Sequence, residues 1–177
     1  MRDNDFRIID THCHAGLNWF EPVESLIFQM DNNGVDGAVL IQHGGTFDNE
    51  YLFEVSEKYP NKFKIVCLVD PSAEDPIKIL EELTKKGAAG IRMSPNSRFD
   101  NVDVNDFWSI CGKLGLAVSV IGSLDDFSSK KFTQIIDKNP KTKIVLEHLA
   151  GFKNYNVQNG ELMSFHDLII KYKKILE

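Results

Sequence analysis

The sequence predicts an α/β protein in which a parallel sheet is flanked by helices. Strand-length apolar runs alternate strictly with segments of helical spacing, six times along the chain. Several of the runs are nearly unbroken, as in 37–42 (Gly-Ala-Val-Leu-Ile-Gln), which suits strands buried on both faces. No interior linker, repeat or low-complexity stretch separates the units, so 1–177 reads as a single domain.

The first run, 6–10, leads into Asp10-Thr11-His12-Cys13-His14 and stops at Gly16. Alternation along a strand would put Asp10, His12 and His14 on one face and Thr11 and Cys13 on the other. Two imidazoles on one face at a strand's C-terminal end can converge on one ion or one substrate. Surface or core-bonded histidines are the plainer alternative. Residues 22–33 read as the first helix, with Pro22 in its first turn, Val23, Leu26, Ile27 and Met30 at helical spacing, and Asn33-Gly34 ending it. The second strand, 37–42, runs into the loop His43-Gly44-Gly45-Thr46. The second helix, 49–59, is stopped by Pro60.

The third strand, 63–70, ends at Pro71, and Asp75-Pro76 opens the third helix by capping and fixed φ. Gly87 closes that helix, and 88–93 is the fourth strand. The fourth helix, 104–114, is stopped by Gly115; the fifth strand is 116–121 and the fifth helix 126–138. The sixth strand, 143–148, ends in Glu147-His148 before the loop Leu149-Ala150-Gly151. Residues 152–164 are weakly patterned and suit either a lid or a solvated connection. Leu168, Ile169, Tyr172 and Leu176 mark a sixth helix over 165–177.

Polar residues at the strand ends are the candidates for chemistry: His12 and His14, Gln42 and His43, Asp70, Arg92 and Ser94, Ser123, and His148. His148 shares alternation with Ile144 and Leu146. If that face is the interior, it approaches His12 and His14. Arg92 stands in an apolar strand, where an arginine needs a partner; a structural carboxylate and a substrate carboxylate both suit its planar fork. Glu147 alternates away from His148 and is expected to pair with a helix residue. His43 reads as a loop residue and His166 as surface.

The net charge of -6 excludes a general nucleic-acid binder, which needs a basic face, but admits a small anionic substrate held by one or two arginines. The three cysteines are odd in number, form no CxxC and lie in apolar segments, which points to a reduced, cytoplasmic protein. The charged start of the chain carries no signal-peptide run, and no stretch is long and apolar enough to span a membrane.

Asp10-Thr11-His12-Cys13-His14 resembles the first-strand signature of the amidohydrolase superfamily. Residues 34–42, Ala89-Gly90-Ile91-Arg92 and 144–151 resemble the second, fourth and sixth strands of its amidohydrolase-2 branch. The nearest group is the dicarboxylate lactonase-like, metal-dependent hydrolases, and the resemblance covers essentially the whole chain. It implies a TIM-barrel-like parallel (β/α) fold, with six βα units present of an expected eight. It implies that His12, His14 and His148 are catalytic: His12 and His14 bind a divalent metal, zinc or manganese, or polarise the substrate, and His148 is a further ligand or an electrophile toward the substrate carbonyl; some lactonases of this branch lack the metal. Arg92 would hold the carboxylate of a small substrate, with Gln42 and Ser94 nearby. The implied activity is cleavage of a lactone or related ester by activated water. A metal-dependent decarboxylase of the same superfamily and a catalytically incomplete binding or assembly domain are the alternatives.

The sequence departs from the family pattern in two places. It ends after the sixth helix, so the aspartate expected after an eighth strand as general base has no counterpart, and the fifth strand offers Val118, Ser119, Val120 and Ile121 with no histidine or lysine. Six strands leave two open edges, and either association through them, as a homo-oligomer, or partial covering of the gap by the last helix or the 152–164 loop is expected.

Overall fold

The protein is described by a computed structural model over residues 6–151. The expected lid at 152–164 and the last helix at 165–177 lie outside the described residues. Six strands follow one another in a single parallel sheet of order β1-β2-β3-β4-β5-β6: β1 (Ile9–Cys13), β2 (Gly37–Ile41), β3 (Phe63–Cys67), β4 (Gly90–Met93), β5 (Ala117–Val120) and β6 (Lys143–Leu146). Between them run α1 (Val23–Asn33), α2 (Glu50–Lys58), α3 (Pro76–Lys85), α4 (Val104–Lys113), and the pair α5 (Leu124–Phe127) and α6 (Lys130–Lys138). The alternation read from the sequence is the alternation of the fold. Among the described residues, no helix is long and apolar enough to cross a membrane.

Local chemistry sets the element ends. Gly34 takes a left-handed φ of 66° and closes α1. The Asp75 carboxylate accepts the Lys78 N–H and Pro76 occupies the first turn of α3. The fifth helix, expected as one piece over 126–138, is two. Ser123 and Asp126 form a reciprocal capping box at the start of α5, and Ser129 caps Phe132 to start α6. The Ser129 cap inside the expected helix breaks it, and the separate capping box gives Ser123 a structural task.

The strand register sorts the side chains into two layers. Ala38, Leu40, Phe63, Ile65, Cys67, Ile91, Met93, Val118 and Val120 face the helices and join Leu52, Leu80, Phe107, Trp108 and Phe132 in one buried cluster. The opposite, concave face carries Ile41, Val66, Gly90, Arg92, Ser119 and Val145. Gly90 permits close packing on that face, because an added Cβ would stand 2.6 Å from the Ala117 carbonyl oxygen.

The sheet is strongly curled. Laid flat, six strands at about 4.8 Å spacing would separate β1 from β6 by about 24 Å. Yet the His12 ring on β1 and the His148 ring just after β6 lie with centroids 4.8 Å apart. The fold is therefore a half-barrel, and its two outer strands carry their polar ends toward each other.

Candidate functional site

A bulge in β1 aims its histidines. Asp10 pairs with Ala38 but Cys13 pairs with Leu40, so three steps on β1 match two on β2. Ala38 and Leu40 both face the helices. Cys13 therefore faces outward, and His12 and His14 face the concave side. The expected shared face of Asp10, His12 and His14 is corrected by the bulge. Asp10 falls on the helix side of the register, where its carboxylate accepts the His12 backbone N–H at 3.0 Å. Burial first, then the neighbouring Asp10, pushes the Cys13 thiol up to about 12, so it stays protonated and inert.

His14 has a fixed tautomer. Its Nδ1 lies 2.7 Å from the Ile41 carbonyl oxygen, which can only accept, so Nδ1 carries the proton and Nε2 keeps its lone pair. The ring stacks on Phe20 at 4.7 Å, and Trp19 and Phe20 both pack on His43. His43 is thus a loop residue in an aromatic wall, as its flanking glycines suggest.

His12 is the unusual group. Its Nε2 is buried and has no hydrogen-bond partner among the described residues. The rings of His14 and His148 stand 5.0 and 4.8 Å away. Ligand atoms of His12, Glu147 and His148 lie within 4.8 Å of one another. Burial lowers the pKa of His12; the Glu147 charge opposes this in part, and His14, His148 and Arg92 add to the lowering. Burial also lowers His14, against the Ile41 carbonyl. Both imidazoles are therefore neutral near pH 7, the state that offers a lone pair.

Arg92, Glu147 and Ser119 form a buried network under these histidines. Arg92 Nε donates to Glu147 Oε1 at 3.0 Å and Nη2 donates to Oε2 at 2.7 Å. Ser119 Oγ donates to Oε1 at 2.8 Å, and Arg92 Nη1 donates to the Gln42 carbonyl at 3.2 Å. Burial pushes Glu147 up, but the Arg92 hydrogen bonds and charge, with Ser119, outweigh it and hold the carboxyl below its ordinary range. The remaining side of the carboxylate faces His148, with Oε2 3.8 Å from its Nε2.

Two expectations about the end of β6 are corrected. Glu147 pairs with strand residues on the concave face, not with a helix residue. Its parity is that of Val145, which is in register with Ser119 and Arg92. Ile144 and Leu146 pack on the helix-side cluster, so alternation alone would send His148 outward with them. The backbone prevents this. The strand stops at Leu146, and His148, Leu149 and Ala150 take positive φ of 52°, 53° and 56°. Three consecutive non-glycine residues in that region carry strain of about 1–2 kcal/mol each. This left-handed turn swings His148 in beside His12.

The other expected site residues are engaged locally. Gln42 donates from Nε2 to the Asp48 carbonyl and accepts the His43 N–H, so its side chain shapes the 43–48 loop. Ser94 accepts the Asn96 N–H in a turn. Asp70 accepts the Ser72 N–H and hydroxyl. Glu147 and Ser119 are the site residues that reading the sequence missed. A usable signal existed: Arg92 and Glu147 are opposite charges in apolar strands, and each calls for the other.

Two cavities meet this network. One, of about 590 Å³, opens between the β1 and β6 edges and is lined by His12, His14, Ser119, Val145, Glu147 and His148. The other, of about 220 Å³, lies over the ends of β3 and β4 and has Arg92 and Ser94 in its wall.

A family model described as Amidohydrolase matches residues 9–172. No curated protein matches the sequence. Among solved structures, the chain is similar to a probable 2-pyrone-4,6-dicarboxylic acid hydrolase from Acinetobacter baumannii with citric acid bound. The TM-score is 0.68 at 17% identity, over 97% of this chain and 66% of that one. It is also similar to an amidohydrolase from Burkholderia multivorans with bound zinc, with a TM-score of 0.68 at 15% identity, over 97% of this chain and 65% of that one. At these identities the likeness is one of fold. The chain spans just under two thirds of the length of both structures.

Proposed function

We propose, from the premise that the chain belongs to the amidohydrolase family, that it is a metal-dependent hydrolase of a lactone or related ester of a small carboxylic acid. Two observations carry this reading: the buried His12 Nε2 has no partner among the described residues, and ligand atoms of His12, Glu147 and His148 lie within 4.8 Å of one another. Neutral imidazole nitrogens and a carboxylate are a donor set that zinc or manganese accepts. His12, Glu147 and His148 offer the converging atoms, and His14 offers a second lone pair beside His12. The relative with bound zinc supports the same choice of ion.

A divalent ion held there would supply Lewis-acid polarisation of the scissile carbonyl and of water. The chain's own groups do the rest. Burial keeps His12 and His14 unprotonated, so neither competes with the ion for its own lone pair. His148, partly exposed in the cavity wall, is placed either to ligate that ion or, instead, to donate a hydrogen bond toward the substrate carbonyl. Arg92 uses three of its five N–H groups on Glu147 and Gln42. One N–H on Nη1 and one on Nη2 have no bond among the described residues and can orient a substrate carboxylate. The test is a pH-stat screen of lactones and carboxylated esters with zinc- or manganese-loaded protein, with carbon dioxide release followed in parallel. Acid release that depends on the metal supports hydrolysis. Carbon dioxide release without ester cleavage replaces it by decarboxylation.

Association through the sheet edges is a second part of the proposal. Ile8 and Ile9 at one edge and Val145 at the other are 49%, 44% and 48% exposed, apolar side chains on or beside strands without outer partners among the described residues. A homodimer is expected by sedimentation at micromolar concentration. Ile8→Lys with Val145→Lys should shift it to monomer, because edge lysines oppose pairing. A wild-type monomer, or a dimer unmoved by both lysines, would exclude the edges.

A further inference from the structure

Glu147 is the carboxylate of the proposed ion site, and β4 and β5 both hold it. Its backbone N–H donates to the Val120 carbonyl at 2.9 Å. Its carboxylate is met by Arg92 and Ser119, which are in register on neighbouring strands. An ionised carboxylate has two oxygens and about four lone-pair sites. The Arg92 fork treats the two oxygens nearly alike. Nε lies 3.0 Å from Oε1 and 3.2 Å from Oε2, and Nη2 donates to Oε2 at 2.7 Å. The shorter contacts give one N–H to each oxygen, so the fork sets the carboxylate plane and leaves a lone pair on each. Ser119 breaks that symmetry. Its side chain is buried, 3% exposed, and its Oγ donates to Oε1 at 2.8 Å. Oε1 then has two donors. The lone pair that remains is on Oε2, the oxygen 3.8 Å from His148 Nε2.

We infer that Ser119 is a positioning residue for the ion site: its hydroxyl occupies Oε1 so that Glu147 presents Oε2 to an ion held with His12 and His148. The inference rests on the metal reading above. Ser119 acts through Glu147, and its hydroxyl need not touch ion or substrate. The chemistry is specific to a donor at this place. Ser119 is the one polar side chain of β5, and its neighbours Val118 and Val120 belong to the helix-side core. Alanine would donate nothing and would free the second lone pair of Oε1, so the carboxylate could offer either oxygen. Threonine keeps the hydroxyl. A hydroxyl present only to satisfy the interior would affect stability and leave ion affinity alone.

The test is zinc titration of the metal-free full chain against a chromophoric chelator, for wild type, Ser119→Ala and Ser119→Thr. Ser119→Ala is expected to raise the zinc Kd by about 10–100-fold, the usual effect of removing a hydrogen-bond partner of a metal ligand. Ser119→Thr should bind zinc close to the wild-type value. Urea unfolding of the metal-free proteins reads the structural contribution separately. Ser119→Ala protein that loses stability yet binds zinc as tightly as wild type would overturn the inference and leave Ser119 a satisfied core hydroxyl. A threonine variant as weak as the alanine one would overturn it too, because the hydroxyl would then not be the feature that counts. The pH-stat assay keeps the two readings apart. Weaker zinc binding in Ser119→Ala, with no ester turnover by any form, removes the hydrolase and keeps the positioning role. Metal-dependent turnover with an unchanged zinc Kd in Ser119→Ala keeps the hydrolase and removes the positioning role. A wild-type chain that binds no zinc overturns the ion site and this inference together.

Discussion

Replacing His12 and His14 together by alanine is expected to abolish stoichiometric metal binding and to lower ester turnover by on the order of a thousandfold. The magnitude is the several kcal/mol of charge stabilisation that a bound ion contributes to such reactions. Plasma mass spectrometry after dialysis without chelator reads the metal, and the pH-stat assay reads the turnover. The structure adds a signature that separates a ligand from a core residue. His12 Nε2 is buried without a partner among the described residues, and such a group costs about 1–3 kcal/mol when left unpaired. The metal-free His12→Ala variant should therefore be no less stable to urea than the metal-free wild type. His14→Ala also loses the 2.7 Å bond to the Ile41 carbonyl, and should be destabilised by about 1 kcal/mol. Equal metal content and equal turnover in the double variant would reject the site.

The same comparison shows what was legible in the sequence. Alternating periods are local, and the six βα units follow from them directly. The unbroken run of β2 anticipates a strand covered on both faces, and those faces are the helix layer and the concave interior. The paired histidines were legible too, because His12 and His14 differ by one full strand period and share a face. What alternation could not supply was the irregular backbone. The bulge between Asp10 and Cys13 removes Asp10 from the histidine face. The left-handed turn at His148 brings inward a residue that alternation sends outward. Both are departures from the regular period at the site itself, where strained or irregular backbone tends to gather.

The Arg92–Glu147 pair was half legible. A lone arginine in Gly90-Ile91-Arg92-Met93 demanded a carboxylate, but the carboxylate sits 55 residues away, just past the end of a strand two places across the sheet. No local pattern joins them; only the register of β4, β5 and β6 does, setting Arg92 beside Ser119 and Ser119 beside Val145. Once the register is known, Glu147 follows as the next inward position after Val145.

That pair sets the second large effect. Glu147→Gln leaves the Arg92 guanidinium buried without its counter-charge, and breaking a buried pair from one side costs about 3–5 kcal/mol. Urea unfolding at pH 7 should show a loss of that order, a large part of the 5–15 kcal/mol that holds a typical domain. The effect has a defined pH dependence. The folded Glu147 carboxyl lies below its ordinary value of 4.5. Its contribution is present above the unfolded carboxyl pKa and is lost as pH falls through the lower folded value. The stability gap between wild type and Glu147→Gln should therefore be full at neutral pH and close progressively below about pH 4, because only the wild type has a carboxylate there to protonate. A gap that stays constant to pH 3 would show that the glutamine acts through packing instead of charge. The double variant Arg92→Met with Glu147→Leu separates stability from placement. Replacing both charges by apolar side chains removes the uncompensated ion, so most of the lost stability should return. The carboxylate beside His12 and His148 does not return with it, so metal content should remain low. Stability recovered without metal would show that the Glu147 carboxylate is needed for the ion and not only for the fold. Recovery of both would make the pair only one of several ways to fill the interior.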